Sequence, residues 1–173
     1  MGAANTSKLR LTVEPESWWG TQVVLSTMFR VVNMRRNQLI EVEVNVTMSY
    51  FERGSTVRSF SPMELERNKI NLFPLSWTIV HPIDENSPLN GVSEKELDDM
   101  KVELIILLKA FDDTFSQTIY SRSSYKSSEL KFGRKFIPMF KALENGRTQL
   151  DLRLIDAMET VELPVQQKMI VEN

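Results

Sequence analysis

Ile40-Glu41-Val42-Glu43-Val44-Asn45-Val46-Thr47-Met48-Ser49-Tyr50 alternates apolar and polar residues without a break. A period of two puts Ile40, Val42, Val44, Val46, Met48 and Tyr50 on one face of an extended chain. Glu41, Glu43 and Asn45 fall on the other. The valines suit a pleated surface packed on one side. The stretch predicts a long, half-buried strand.

Working outward, Val23 to Val32 reads as a second strand, joined to the first by the polar turn Asn33 to Gln38. Leu9, Leu11 and Val13 alternate with Lys8, Arg10 and Thr12 in a shorter strand closed by Pro15. Arg53-Gly54-Ser55 ends the long strand. Thr78 to Val80, Val102 to Leu108 and Phe136 to Phe140 are further strand candidates. Leu150, Leu152 and Leu154 alternate with Asp151 and Arg153, and Asn145-Gly146 before them signals a hairpin. One helix start stands out: Ser93-Glu94-Lys95-Glu96 fits a capping box, with Leu97 and Met100 on a short helix behind it. Many strands at short spacing, separated by turn residues, predict a mostly-β sandwich or barrel.

Composition excludes several function classes. The chain has 173 residues, no cysteine, one histidine and a net charge of -2. Bulk nucleic-acid binding has no electrostatic support. Disulfides, thiolate zinc sites and cysteine nucleophiles are impossible, as is any site needing two histidines. The longest aliphatic run, Leu104 to Leu108, is far short of the roughly 20 residues a spanning helix needs. The chain as given is expected to be soluble. Residues 1–6 read as a tag or tail, 7–164 as one domain and 165–173 as a C-terminal tail.

Few residues carry chemistry unaided. Asp84-Glu85-Asn86 is either a polar turn or an oxygen-ligand cluster for a hard cation, and the lack of an Asp-x-Asp-x-Asp-Gly loop favours the turn. His81 is a pH sensor or a hydrogen-bonded structural residue, and the second is the commoner case. Trp18-Trp19 point to opposite faces if extended, so packing is favoured over a sugar or membrane platform. No Gly-x-Ser-x-Gly elbow is present, so an enzyme has almost no support. The residues alone describe a soluble, mostly-β binding or interaction module.

Three ordered stretches add a resemblance. Met28-Phe29-Arg30-Val31-Val32-Asn33-Met34-Arg35-Arg36, followed by Glu41, resembles the early signature of inward-rectifier potassium channel cytoplasmic domains. Thr78-Ile79-Val80-His81-Pro82-Ile83-Asp84-Glu85-Asn86-Ser87-Pro88-Leu89 is similar to that family's Val-His-x-Ile-Asp-Glu-x-Ser-Pro-Leu run. Arg122-Ser123-Ser124-Tyr125 resembles the run after its gating loop. The Met-Arg-Arg-Asn run and compact loops look closer to the prokaryotic channels.

The resemblance implies an immunoglobulin-like β-sandwich with one or two short helices. It implies a homotetramer around an ion passage, at the cytoplasmic face of the cell membrane, serving a transmembrane pore that this chain does not contain. Glu41 matches the family's pore-facing glutamate. With Glu43, Asp112 and Asp113 it makes up the expected cation-facing set, for potassium, magnesium or polyamines as transient cations rather than resident cofactors. Lys109, Ala110, Phe111 and Ser116 fall on the gating loop, which is expected over Ala110 to Ser116. Lys109 stands where many members have a glutamate, and Ala110 where they have glycine. Leu65 and Lys69 replace an acidic pair. Lysines would oppose a carboxylate ring, so strong rectification is not expected. Arg35 and Arg36 match a region tied to anionic lipid head groups. His81, Asp84 and Arg122 are expected in structural or intersubunit roles. The competing expectation is a stand-alone immunoglobulin-like module that binds a ligand or protein and serves no pore.

Overall fold

A computed structural model describes residues 11–16, 24–35 and 37–161. In chain order the elements are β1 (Leu11–Glu16), β2 (Val24–Val32), β3 (Leu39–Phe51), β4 (Arg58–Met63), β5 (Lys69–Leu72) and β6 (Ser76–Ile83). Then come α1 (Glu94–Asp99), β7 (Glu103–Asp112), β8 (Gln117–Lys126), β9 (Lys131–Phe132) and β10 (Arg134–Phe136). β11 (Phe140–Ala142), β12 (Thr148–Leu150) and β13 (Met158–Thr160) complete the described chain.

The period-two strand is the centre of one sheet. β3 pairs β7 along one edge, and β7 pairs β8. β4 and β5 share the other edge of β3. A second sheet runs β6-β2-β1-β9. Every pairing is antiparallel except the short β1–β9 contact. Phe29, Val31, Trp77 and Ile79 from this sheet meet Val42, Val44, Val46, Met48, Leu104, Ile106 and Leu108 from the other in one core. Each such side chain contributes about 1.5–3 kcal/mol by leaving water. The molecule is the mostly-β sandwich that its alternation predicts.

β3 departs from strict alternation at one point. Its register with β7 shifts between Ile40 and Glu43, and Glu41 has a φ of 50°. A bulge inserts an extra residue and flips the face of everything before it. Leu39 is therefore buried and Ile40 only half-buried, the reverse of the simple pattern. A left-handed non-glycine residue costs about 1–2 kcal/mol, so the surrounding pairing holds Glu41 there.

A third layer covers the outer side of β2. β10 pairs β13, and β11 pairs β12. Val32 packs there with Met139 and Ile155. Arg30, 6 % exposed, donates through Nη1 to the carbonyls of Ile137 (3.0 Å) and Leu154 (3.3 Å). Its guanidinium also lies 4.2 Å from the Phe136 ring centroid.

Four sequence expectations need correction. The Phe136 to Phe140 stretch is not one strand: β10 ends at Phe136 and β11 begins at Phe140, with Pro138, which cannot donate to a ladder, in the gap. Leu150 ends its strand, and Leu152–Leu154 form a 3-10 turn. Asp151 explains this: its Oδ1 accepts the Arg153 amide, and its carboxylate holds the Arg153 guanidinium at 2.8 and 2.9 Å. β1 runs past Pro15 to Glu16. Beyond Val13 that strand pairs only β2, and a free edge tolerates proline. The segment Ala110 to Ser116 is not an open loop, as described below. The helix start is as expected: Ser93 and Glu96 form the reciprocal capping box, and Leu97 anchors α1 in the core.

Candidate functional site

The outward face of the five-stranded sheet carries part of the predicted site: Glu41, Glu43, Lys109 and Arg122. In register across three strands, Glu43 lies between Lys69 of β5 and Lys109 of β7. Lys109 in turn opposes Tyr120 of β8. One carboxylate therefore has an ammonium-bearing neighbour on each side, at the 4.5–5.5 Å typical of directly opposed Cβ atoms. Glu41 is exposed and set off from this row by the bulge. Leu107 and Arg122, both exposed, form a further row on the same face. The sequence shows both lysines, but only the strand register reveals that they flank Glu43.

The expected gating segment is a tight β-hairpin. β7 continues through Lys109, Ala110, Phe111 and Asp112, and the turn spans only Asp113 to Ser116, with Ser116 at a φ of 49°. Lys109 points outward, whereas Ala110 is 1 % exposed and packs in the core. Glycine's freedom is not needed there, because the backbone is an ordinary strand. Asp112 departs from the cation-facing expectation. It is 1 % exposed, and its Oδ1 accepts the amides of Thr114 (3.0 Å) and Phe115 (3.3 Å). Its Oδ2 accepts Asn37 Nδ2 at 2.6 Å. Its inward position follows from alternation: it shares the parity of Leu108 and Ala110. Asp113 is exposed, and its amide donates to the Gln38 carbonyl (3.2 Å).

The basic turn thus abuts the hairpin. Asn33 donates to the Asn37 carbonyl at 2.9 Å and accepts the Arg35 amide at 3.0 Å. Arg35 is exposed. Arg36 and Trp18-Trp19 lie outside the described residues.

His81 is buried at 2 % exposure. Its Nδ1 faces the Glu64 carbonyl, which fixes Nδ1 as the protonated nitrogen. Ser87 then donates to Nε2 at 2.8 Å and accepts the Leu89 amide at 3.1 Å. Asp84 Oδ1 accepts the Asn86 amide, so Asp84-Glu85-Asn86 is a capped polar turn. Among the described residues no group of three histidine or acidic side chains is placed to hold a metal.

Burial pushes the His81 pKa below its ordinary value, against smaller upward pulls from the Glu64 carbonyl and the charges of Asp84 and Glu64. A lowered imidazole pKa means the unfolded state takes the proton first. His81 therefore supports the fold above about pH 6.5, and that support is lost as pH falls toward its folded pKa. The urea midpoint should drop between pH 7.5 and 5.5, and His81→Gln should flatten that slope. An unchanged slope in the variant would show that other groups cause it. Glu96 and Asp151, whose pKa values are lowered by the Ser93 and Arg153 hydrogen bonds, act only at more acid pH.

The chain is in class a mostly-β sandwich, with ionisable groups interleaved on one outer face and a tied hairpin at its end. The model of the inward rectifier potassium channel C-terminal domain matches residues 21–173, and the chain belongs to that family. It is 34 % identical over 128 residues to "Inward rectifier potassium channel Kirbac3.1" of Paramagnetospirillum magnetotacticum, covering 72 % of this chain and 43 % of that protein. It is 29 % identical over 130 residues to human "Inward rectifier potassium channel 4", covering 66 % and 27 %. Against mouse "ATP-sensitive inward rectifier potassium channel 12" it is 27 % identical over 148 residues, covering 81 % and 34 %. The chain spans less than half the length of each. Among its described residues no helix is long and apolar enough to cross a membrane.

Proposed function

We propose that this chain forms the cytoplasmic vestibule of a potassium channel, with four copies around an axis and the outward face of β3 and β7 turned toward the ions. The observation that carries the reading is the row Lys69–Glu43–Lys109 beside the exposed Glu41, on the face away from the core. Rotational symmetry repeats each charge around a passage, and a narrow passage concentrates their field on permeant and blocking cations. Lys69 and Lys109 offset Glu43, leaving Glu41 as the principal attraction for magnesium or polyamines. The Asp113 to Ser116 hairpin lies at the membrane-facing end and gates. The 33–38 turn beside it meets anionic lipid head groups through Arg35 and Arg36.

The test is a channel carrying this domain, recorded in patches with spermine on the cytoplasmic side. Reversing both lysines (Lys69→Glu with Lys109→Glu) should tighten spermine block at least about tenfold, since 1.4 kcal/mol suffices for that factor. Glu41→Gln should weaken it. Block that ignores all three positions would remove this face from the ion path.

A further inference from the structure

Two exposed apolar side chains adjoin at one end of the sandwich. Met34, 52 % exposed, belongs to the 33–38 turn, and Leu75, 58 % exposed, to the corner between β5 and β6. The Asn33 amide donates to the Leu75 carbonyl at 3.2 Å, so the two connections touch. Their backbones are fixed. Asn33 donates through Nδ2 to the Asn37 carbonyl and accepts the Arg35 amide, which braces the turn on both sides of Met34. Leu75 has a φ of 24°, a backbone that a bulky residue rarely adopts. Single exposed apolar residues are ordinary. A leucine held in water on a strained corner, against an exposed methionine, breaks two local rules at once, and such breaks gather where a surface is used.

Charge indicates what this end meets. The 33–38 turn carries two arginines and no acid, and the 73–75 corner carries no charge. Arg35, next to Met34 in the chain, is exposed. Apolar side chains beside a guanidinium suit the boundary between lipid head groups and acyl chains. There the cation meets phosphate while the apolar atoms leave water. A fluid bilayer surface also takes side chains from two separate connections without needing a matching hollow in a partner.

We propose that Met34 and Leu75 insert below the head groups of an anionic bilayer while Arg35 pairs with lipid phosphate, so that the domain docks by an apolar anchor as well as by charge. The proposal rests on the reading above, which turns this end toward the membrane. It adds a contact that salt does not screen, because apolar burial, unlike the Arg35 attraction, is insensitive to moderate ionic strength.

The chain has no cysteine, so Met34→Cys, Leu75→Cys and Val57→Cys each give the domain a single thiol for an environment-sensitive NBD label. Val57 is the control: it is 71 % exposed and lies past the other end of the 13-residue β3, roughly 40 Å away at about 3.3 Å per residue. Each labelled domain is carried in a channel whose membrane part is cysteine-free, in nanodiscs of phosphatidylcholine and phosphatidylglycerol, with or without doxyl-labelled lipid. Labels at 34 and 75 should shift to the blue and lose most of their emission to the doxyl lipid, at low and high salt alike. The label at 57 should do neither. A blue shift without quenching would show that protein covers these residues, and no shift would leave them in water; either result overturns the proposal. So would quenching that high salt abolishes, since charge alone would then hold the domain. Equal quenching at all three positions would show a label drawn into lipid by its own ring, and also overturns it. Quenching at 57 alone would overturn the orientation itself. Spermine block at Glu41 is read separately, so failure of the anchor and failure of the vestibule are told apart.

Discussion

Replacing Arg30 by methionine is expected to lower the unfolding free energy by about 3–5 kcal/mol. Arg30 is 6 % exposed, and one nitrogen, Nη1, reaches two carbonyls that lie more than a hundred residues away in sequence. A hydrogen bond from a charged donor is worth about 1.5–3 kcal/mol, and a desolvated cation–π contact about 2. Methionine keeps the apolar contact and loses all of these. The Ile137 carbonyl then loses that donor, while the Leu154 carbonyl still accepts the Ala157 amide. Loss should be local first: amides of β10 and β13 lose exchange protection before those of β3 and β7, because Arg30 and the small Val32–Met139–Ile155 cluster help clamp the third layer to β2. Arg30→Lys should recover little, since an ammonium cannot lie flat on Phe136. An unfolding free energy from urea titration lowered by under about 1 kcal/mol, with uniform exchange, would show that the third layer is held otherwise.

Arg30 also marks where sequence reading stops. It sits in the Phe29-Arg30 pair that carries the family resemblance. Alternation says only that one of the two faces away from the core. That the outward one is buried under residues 134–161 is a tertiary fact. The strands β3 and β7 were legible because each buries one face, and β2 because its apolar run is bounded by a polar turn although both its faces are buried. β8 was not, because Gln117 to Lys126 alternates among polar and half-buried residues and its face is set by pairing with β7. The lone histidine at a strand end reads as structural, and both its ring nitrogens are engaged. The paired lysines around Glu43 come from a register set by a bulge. No local pattern announces it, since Glu41 carries no glycine signal for its positive φ.

Asp112 shows how one acidic residue can read as a site and serve the scaffold. Next to the exposed Asp113 it looks like half of a cation pair, yet it binds three N–H groups of its own chain. Asp112→Ala should cost about 3 kcal/mol, since three donors lose their acceptor and the Asn37 amide is left bare in an apolar setting. Asp112→Asn should cost only about 1 kcal/mol. Its carbonyl oxygen still caps Thr114 and Phe115, and Asn37 can turn over to present Oδ1, which has no partner in the parent chain. Urea unfolding of both variants, with amide exchange at Thr114 and Phe115, separates the contributions. Alanine should free those two amides while β3 stays protected; asparagine should leave them protected. If the two variants lose equal stability, the carboxylate's charge and not its acceptor geometry holds the hairpin. The same pair then reports on gating: a hairpin freed by alanine but kept by asparagine should change channel open probability in the first variant alone.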